Sequence, residues 1–545
     1  MSIERSKEKD YKPLSSSPTC GGPVSNDLSP LRPPVSFTNA VSGNESQDLV
    51  NLGFQRTDIP LEQPSKSEDT AGADVSHLRE DKADKANAAS VSEPEKKPAA
   101  DTREGKKRKT GVQDLKLLSE DRWLVRSGHF FTYVGLFLFS IMVLFRPYEL
   151  ITELSFLSAT AFYFALATLA IFVPSQLATE GTLTMLSTEV KALLGLTVIA
   201  LVTIPIAKDP GLAWETFNDP YIKAVVIFIV LVNVVRTRKR LMGIMWLSFG
   251  IGVFLGISAL QLSIDGKFTV EGYRVAVTEV KGMFGNPNEM ALHFVMMTPL
   301  VLTLGIASKS KLMRIVYFAT TALFIAANMV TYSRGGFLGL VACAAVLVWK
   351  LGRKYRFNVT VASIVIGVIT IAAAPGNYGL RILSIFIPGL DVVGSSDQRW
   401  ELLNRSLLVT ARNPWGIGIG NFPIVGVHDH QTHNAFTQVS AELGLLGLVA
   451  YLIFIISPYR KLRAIERTLF EKDEHDWYYY LSIGLQASII GYMVSSFFAS
   501  VAYNWFIYYL IAYAVAFRRI YSIEKGLTGE VATGLGWDQN LVETT

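Results

Sequence analysis

The residue types best suited to chemistry lie between His433 and Gly447, in HNAFTQVSAELGLLG. This stretch opens an apolar run with a His-Asn pair at its edge and sets Gly444 and Gly447 a few turns deeper. A titratable imidazole at a membrane boundary is costly to keep without a task, and its ordinary pKa suits proton transfer near neutrality. The bland alternative is a boundary histidine that only hydrogen-bonds. Just upstream, His428, Asp429, His430 and His433 form HDHQTH, which has the ligand types of a zinc site. No fourth partner stands nearby and no helix frames the first two histidines, so no metal is expected. The second group of candidates is a set of arginines: Arg274, Arg334, Arg381, Arg399, Arg405 and Arg412. A guanidinium fork grips phosphate oxygens in a bidentate way that an ammonium cannot.

The elements that must position these groups are apolar helices. Half of the 545 residues are hydrophobic and only 18% are charged. Beyond about residue 128 the apolar runs are too many for one soluble core, and each approaches the roughly 17–25 residues that cross a bilayer. The expected fold is all-α and polytopic. About twelve spans are read at roughly 129–146, 154–173, 191–207, 221–235, 241–262, 288–306, 313–333, 335–350, 358–374, 433–457, 477–500 and 503–520. Residues 1–110, rich in Ser, Pro, Asp, Glu, Lys and Ala, cannot bury enough apolar surface to order, so a disordered cytoplasmic tail is expected. It has no apolar core of a cleavable signal peptide. The basic run Lys106 to Lys109 suits either anionic lipid or plain solvation. Residues 111–127 show helical apolar spacing and could lie along the interface, and 526–545 form a short tail. The two cysteines, Cys20 and Cys343, imply neither a disulfide framework nor a thiolate metal site.

Topology follows from charge. With the N-terminus inside, RTRKR (236–240), SKSKLMR (308–314), KLGRKYR (350–356), RKLRAIER (460–467) and Arg518-Arg519 all fall on one side. Both termini are then cytoplasmic, while 174–190 carries no Lys or Arg and is silent. The outer side has two long loops, about 263–287 and 376–432, and these hold Arg274, Lys281 and most of the remaining arginines. Cations on the translocated side run against the usual bias. Around an outer-leaflet cavity they would suit an anionic, lipid-borne ligand such as a pyrophosphate. For any one of them the competing reading is snorkelling, or pairing with Asp391, Asp397 or Glu401. In GNPN (285–288), Pro287 fits a first helical turn and an Asn fits its cap. Gly335-Gly336 suits close helix packing, and the glycine-rich NPWGIGIGNF (413–422) reads as a shaped loop over a site. His293 and Asn328, polar inside spans, are expected to bond to neighbouring helices.

His433-Asn434, nine residues, Gly444, two residues, Gly447 resembles the His-Asn…Gly-x-x-Gly pattern of the O-antigen ligase and polymerase superfamily. Arg146-Pro147-Tyr148-Glu149, GNPN, SRGG (333–336) and Arg399 followed by NPWGIGIGNF are similar to its members too. The resemblance covers about 125–525, and the domain it defines is 128–525 with its large periplasmic loop at 376–432. It implies a metal-independent, inverting membrane glycosyltransferase without cofactor. Such an enzyme takes a glycan from undecaprenyl pyrophosphate at the periplasmic face of the inner membrane and passes it to a glycan, lipid or protein acceptor. His433 would be the base, and Arg274, Arg334, Arg399 and Arg405 would hold the pyrophosphate. Asn434, Asn286 and Asn288 would support them. A polymerase of lipid-linked repeat units would use the same constellation. Membrane lipids are further expected partners; nucleic acid is not. A transporter of a small anion such as bicarbonate is the competing class, although neither an internal repeat nor charged midplane positions point to it. A scaffold presenting the N-terminal tail would leave the outer arginines unexplained.

Overall fold

The computed structural model describes residues 122–145, 153–154, 160–270, 272–277, 285–353, 356–372, 378–383, 387, 395–427 and 429–525. The two tails, residues 111–121, Arg146 to Glu149, Lys281, Asp391 and His428 lie outside them. In chain order the helices are α1 (Arg122–Leu144), α2 (Thr160–Glu180), α3 (Thr188–Thr203), α4 (Pro210–Thr216), a π-helical turn (Phe217–Tyr221) and α5 (Ile222–Val234). Then come α6 (Arg238–Ile264), α7 (Pro287–Ala307), α8 (Lys311–Val330), α9 (Arg334–Leu351), α10 (Arg356–Ala372) and α11 (Tyr378–Leu383). The chain closes with α12 (Ser395–Arg412), α13 (Phe422–Val425), α14 (Ala435–Glu471), α15 (Trp477–Ser496) and α16 (Trp505–Glu524). Among the described residues seven helical stretches are long and apolar enough to cross a membrane, and no strand forms.

Small polar side chains start these helices. Ser187, Thr237, Ser310 and Ser333 each accept a backbone N–H from the first turn, and Asp209, Asn286, Asn434 and Asp476 do the same. Several helices then turn apolar side chains outward over part of their length. Leu312, Ile315 and Phe318 of α8, Val361, Ile364 and Val368 of α10, and Leu446, Val449 and Ile453 of α14 are all exposed. Water would not tolerate such faces, but hydrocarbon matches them. The chain is a multi-pass membrane protein.

The centre of the bundle is α7, α15 and α16, where almost every side chain is buried. Helices α7, α9 and α15 approach closely because small residues meet at their crossing. A Cβ on Gly339 would stand 2.9 Å from Val295 Cγ1 and 3.2 Å from the Gly491 carbonyl. Polar groups inside bond across helices: Asn328 Nδ2 donates to the Ala291 carbonyl at 3.0 Å, and His293 bonds to the backbone of Ser248. Gly336 packs on Ala291 beside Asn328, a structural use of the SRGG glycines.

Against about twelve expected spans, seven stretches among the described residues are long and apolar enough to cross, the helix expected at 154–173 lies at Thr160–Glu180, and three further helices differ in extent. The helix expected near 221 starts at Pro210 and passes through the π-helical turn. Within the expected outer loop, Ser395–Arg412 is helical: Leu402 and Val409, seven apart, are buried beneath a polar face. The span expected to stop at 457 continues through Pro458 to Glu471, because Leu462, Ile465 and Leu469 repeat on one buried face. Helix α1 runs unbroken from Arg122 into its apolar part.

Candidate active site

Helix α14 is two helices end to end. At Gly444 the backbone takes φ 73°, ψ −174°, a conformation closed to residues with a Cβ, and the ladder of helical bonds breaks. Carbonyls freed at such a break must find donors where no water reaches them. The glycine-rich loop supplies them. Ile417 N donates to the Ala441 carbonyl at 3.1 Å and Gly418 N to the Glu442 carbonyl at 2.9 Å. In return Leu445 N donates to the Pro414 carbonyl at 2.9 Å. The fit is too close for side chains: a Cβ on Gly444 would stand 2.3 Å from the Pro414 carbonyl oxygen, and one on Gly416 2.3 Å from that of Glu442. Phe422 N donates to Glu442 Oε1 at 3.3 Å, and Asn421 Oδ1 accepts Asp209 N at 2.6 Å, tying the loop to the start of α4. The spacing of His433-Asn434 to Gly444 therefore records one rigid unit, a short helix Ala435 to Leu443 clamped by the glycine-rich loop.

That short helix presents His433 and Asn434 at its N-terminus. Asn434 Oδ1 accepts from Phe436 N at 2.9 Å and Thr437 N at 3.2 Å, while the buried Nδ2 has no hydrogen-bond partner among the described residues. His433 has φ 51° and is held by its backbone, whose N–H donates to Ser500 Oγ at 2.8 Å. The Thr432 hydroxyl lies 3.1 Å from the same Ser500 Oγ and donates to the Asn434 carbonyl at 2.8 Å. The imidazole itself is left to face a cavity of about 340 Å³. His433, Asn434 and Thr432 line it together with Arg334, Arg399 and Trp400, and Phe497 and Phe498 add apolar wall. Burial is the largest cause that pulls the His433 pKa from 6.5 down to about 4; the Arg399 guanidinium and His430 add to it. The ring is neutral at pH 7 and able to accept a proton.

Arg334 opens α9 behind its Ser333 cap, so the cavity receives the N-termini of both α9 and α14. Partial positive charge from two helix ends adds to two guanidinium groups there. Arg274 does not line the cavity. Its Nε donates to the Thr331 carbonyl at 3.0 Å and its Nη2 to Asn288 Oδ1 at 2.7 Å, an oxygen that also accepts the Ser333 hydroxyl at 2.9 Å. Asn286 caps α7 by accepting Asn288 N at 2.9 Å. Arg381 adds a second brace, donating from Nε to the Tyr332 carbonyl at 2.8 Å and from Nη1 to the Tyr273 hydroxyl. Two arginines thus hold the turn 331–333 that projects Arg334. Arg405 also lies off the cavity, its Nε on the Val425 carbonyl at 2.7 Å.

The structure therefore gathers His433, Asn434, Arg334 and Arg399 at one site, and keeps Arg274, Asn286 and Asn288 one layer behind. Sequence reading overlooked Thr432, Ser500, Trp400, Phe497 and Phe498. Only Trp400, next to Arg399, carried a visible signal, as an aromatic beside a candidate binder. Among the described residues no group of three His, Cys, Asp or Glu could hold a metal ion.

Residues 319–452 match the family model described as O-antigen ligase. The match runs from α8 into α14 and takes in SRGG, Arg399, the glycine-rich loop, His433-Asn434, Gly444 and Gly447. No curated protein matches the chain. The matched region supports the O-antigen ligase superfamily and lends nothing to the transport reading.

Proposed function

We propose that this chain, an O-antigen ligase-type membrane protein by its region 319–452, transfers a glycan from undecaprenyl pyrophosphate to an acceptor at the periplasmic face of the inner membrane. The observation that carries the reading is the shared cavity: one neutral imidazole, two guanidinium groups and two helix N-termini facing the same space. Each has a task in such a transfer. Arg334 and Arg399 bind the pyrophosphate of the donor and stabilise the charge that builds on it as it leaves. The acceptor hydroxyl attacks the anomeric carbon from the opposite face, forming the new glycosidic bond. The carbon–oxygen bond to the pyrophosphate breaks, and its electron pair departs with the lipid. The hydroxyl proton passes to His433, whose ring Ser500 and Thr432 aim by fixing the backbone. Arg274 acts as a positioning residue, since Asn288 and Ser333 connect it to the start of α9.

Binding of the anionic pyrophosphate between the arginines cancels part of the repulsion that depresses His433 and makes it a stronger base when the donor is present. The neutral ring of the empty site and the basic ring of the loaded one are the same group in two electrostatic states. No metal takes part in this scheme.

Incubation of the purified protein with a lipid-linked oligosaccharide, with and without a candidate acceptor, tests it. Transfer to a foreign acceptor identifies a ligase, and chains growing on the lipid itself identify a polymerase. Donor left intact in every condition overturns the proposal. His433→Ala is expected to abolish transfer while its thermal unfolding matches that of the wild type.

A further inference from the structure

A second cavity, of about 580 Å³, lies along α14 at the end remote from His433. About 27 residues separate His433 from Arg460, roughly 40 Å of helix. One wall of this groove is hydrocarbon in character: Val449, Leu452, Ile453 and Ile456 line it, and three of these are exposed. Its other end is polar. Lys461 Nζ donates to Thr188 Oγ1 at 2.9 Å and lies 3.2 Å from Glu189 Oε1. The same carboxylate takes both terminal nitrogens of Arg518, each at 2.9 Å. Arg518 and Glu189 are fully buried, and the Lys461 side chain is 14% exposed. One carboxylate therefore serves two cations in a low-dielectric setting, and the cluster keeps surplus positive charge. Arg460, at the exposed rim of the groove, makes no ion pair or hydrogen bond among the described residues.

An apolar trough that ends on surplus cations matches one chemistry, an acyl chain joined to a phosphate. We infer that the groove between α3 and α14 binds an anionic phospholipid, its chain along Val449, Ile453 and Ile456 and its phosphate at Arg460 and Lys461. The positive-inside pattern, to which this basic run contributes, places the site in the cytoplasmic leaflet, and basic pockets between spans on that side suit anionic head groups. Two features set it apart from a snorkelling arginine on an ordinary lipid face. The lysine is already fixed by Thr188 and Glu189, so little side-chain entropy remains to be lost. The apolar wall also runs along α14 into a pocket that Thr188, at the start of α3, helps to line. Neither feature depends on the chemistry at His433.

Native mass spectrometry of the full chain, released from detergent with phosphatidylglycerol or with phosphatidylcholine of the same acyl composition, reads the site directly. The wild type is expected to retain phosphatidylglycerol preferentially. Arg460→Gln should lower its apparent affinity about tenfold, the worth of one charge-assisted contact, and Arg460→Lys should recover most of it. Ile453→Trp fills the trough at an exposed position without touching a charge, and it should reduce retention as well. Equal retention of the two lipids by the wild type overturns the inference, as does unchanged binding in both Arg460→Gln and Ile453→Trp. Displacement of the lipid by millimolar inorganic phosphate would also overturn it, because the site would then read a free anion. Thermal unfolding of each variant confirms that the fold is intact before binding is compared.

Discussion

At the residue scale, His433 is controlled by its neighbours more than by its own chemistry. An imidazole free in water would be half protonated near pH 6.5, whereas burial, Arg399 and His430 take this one down to about 4. The active form is the neutral one, so activity is lost as pH falls and the ring takes up its proton. Because kcat/KM reports the free enzyme and kcat the loaded one, the acid limb of kcat/KM should lie near pH 4, below that of kcat. Under the proposed mechanism, pyrophosphate between the arginines would lift the pKa only in the complex. Replacing Arg399 by Gln removes a repulsion, so the kcat/KM limb should move to higher pH while the rate falls by about 10²-fold or more with the lost anion contact. pH–rate profiles of the two proteins check both shifts. Limbs that coincide in the wild type, or fail to move in the variant, would remove His433 from the role of base.

At the scale of elements, the decisive object is the joint between the glycine-rich loop and the break in α14. Two segments some 25 residues apart exchange backbone hydrogen bonds, and each needs glycine because carbonyl oxygens of one sit where a Cβ of the other would be. Gly444→Ala must both adopt a disfavoured φ and push against the Pro414 carbonyl. A loss of about 3 kcal/mol or more is expected, seen as a lower thermal midpoint together with loss of transfer. Gly250→Ala is the control, since a Cβ there meets open space inside α6, and it should leave both readings unchanged or slightly raise stability. The turn 331–333 is a smaller joint of the same kind, held by Arg274 and Arg381 in place of glycine-to-carbonyl contact.

At the scale of the whole molecule, basic residues do two jobs at the end remote from the cavity. They follow the positive-inside pattern, and several are also buried ion-pair partners. Arg518 is paired with Glu189; Arg519 and Arg236 with Glu180; Lys350 and Arg353 with Glu466. These pairs join helices far apart in the chain, α3 to α16 and α9 to α14. Glu189→Gln strands two cations around a neutral amide, and a loss of about 3–5 kcal/mol is expected in thermal unfolding, with the folded fraction still able to turn over donor. The orientation has its own test. Reporter fusions after Glu524 and within 308–311 should be active only where the reporter works in the cytoplasm. A periplasmic reporter that lights up at either site would invert the topology and move the His433 cavity to the wrong side.

Much of this protein was legible in its residue order, for definite reasons. Apolar runs of membrane length must become helices, since a lipid-bathed backbone can satisfy its own hydrogen bonds in no other local way, and seven described stretches meet that expectation of about twelve. His433-Asn434 with Gly444, SRGG and Arg399 was readable because cap, kink and charge are local properties with local signatures. What stayed hidden depends on contacts across tens or hundreds of residues. Pattern could not show that Ser500 holds the His433 backbone, that Arg274 and Arg405 spend their donors on carbonyls away from the cavity, or that Glu189 meets Arg518. The helix Ser395–Arg412 hid for a related reason: its apolar face is narrow and becomes meaningful only with a packing partner. Composition and periodicity act within a few turns of chain. The convergence of an imidazole with two guanidinium groups is decided by how the helices pack.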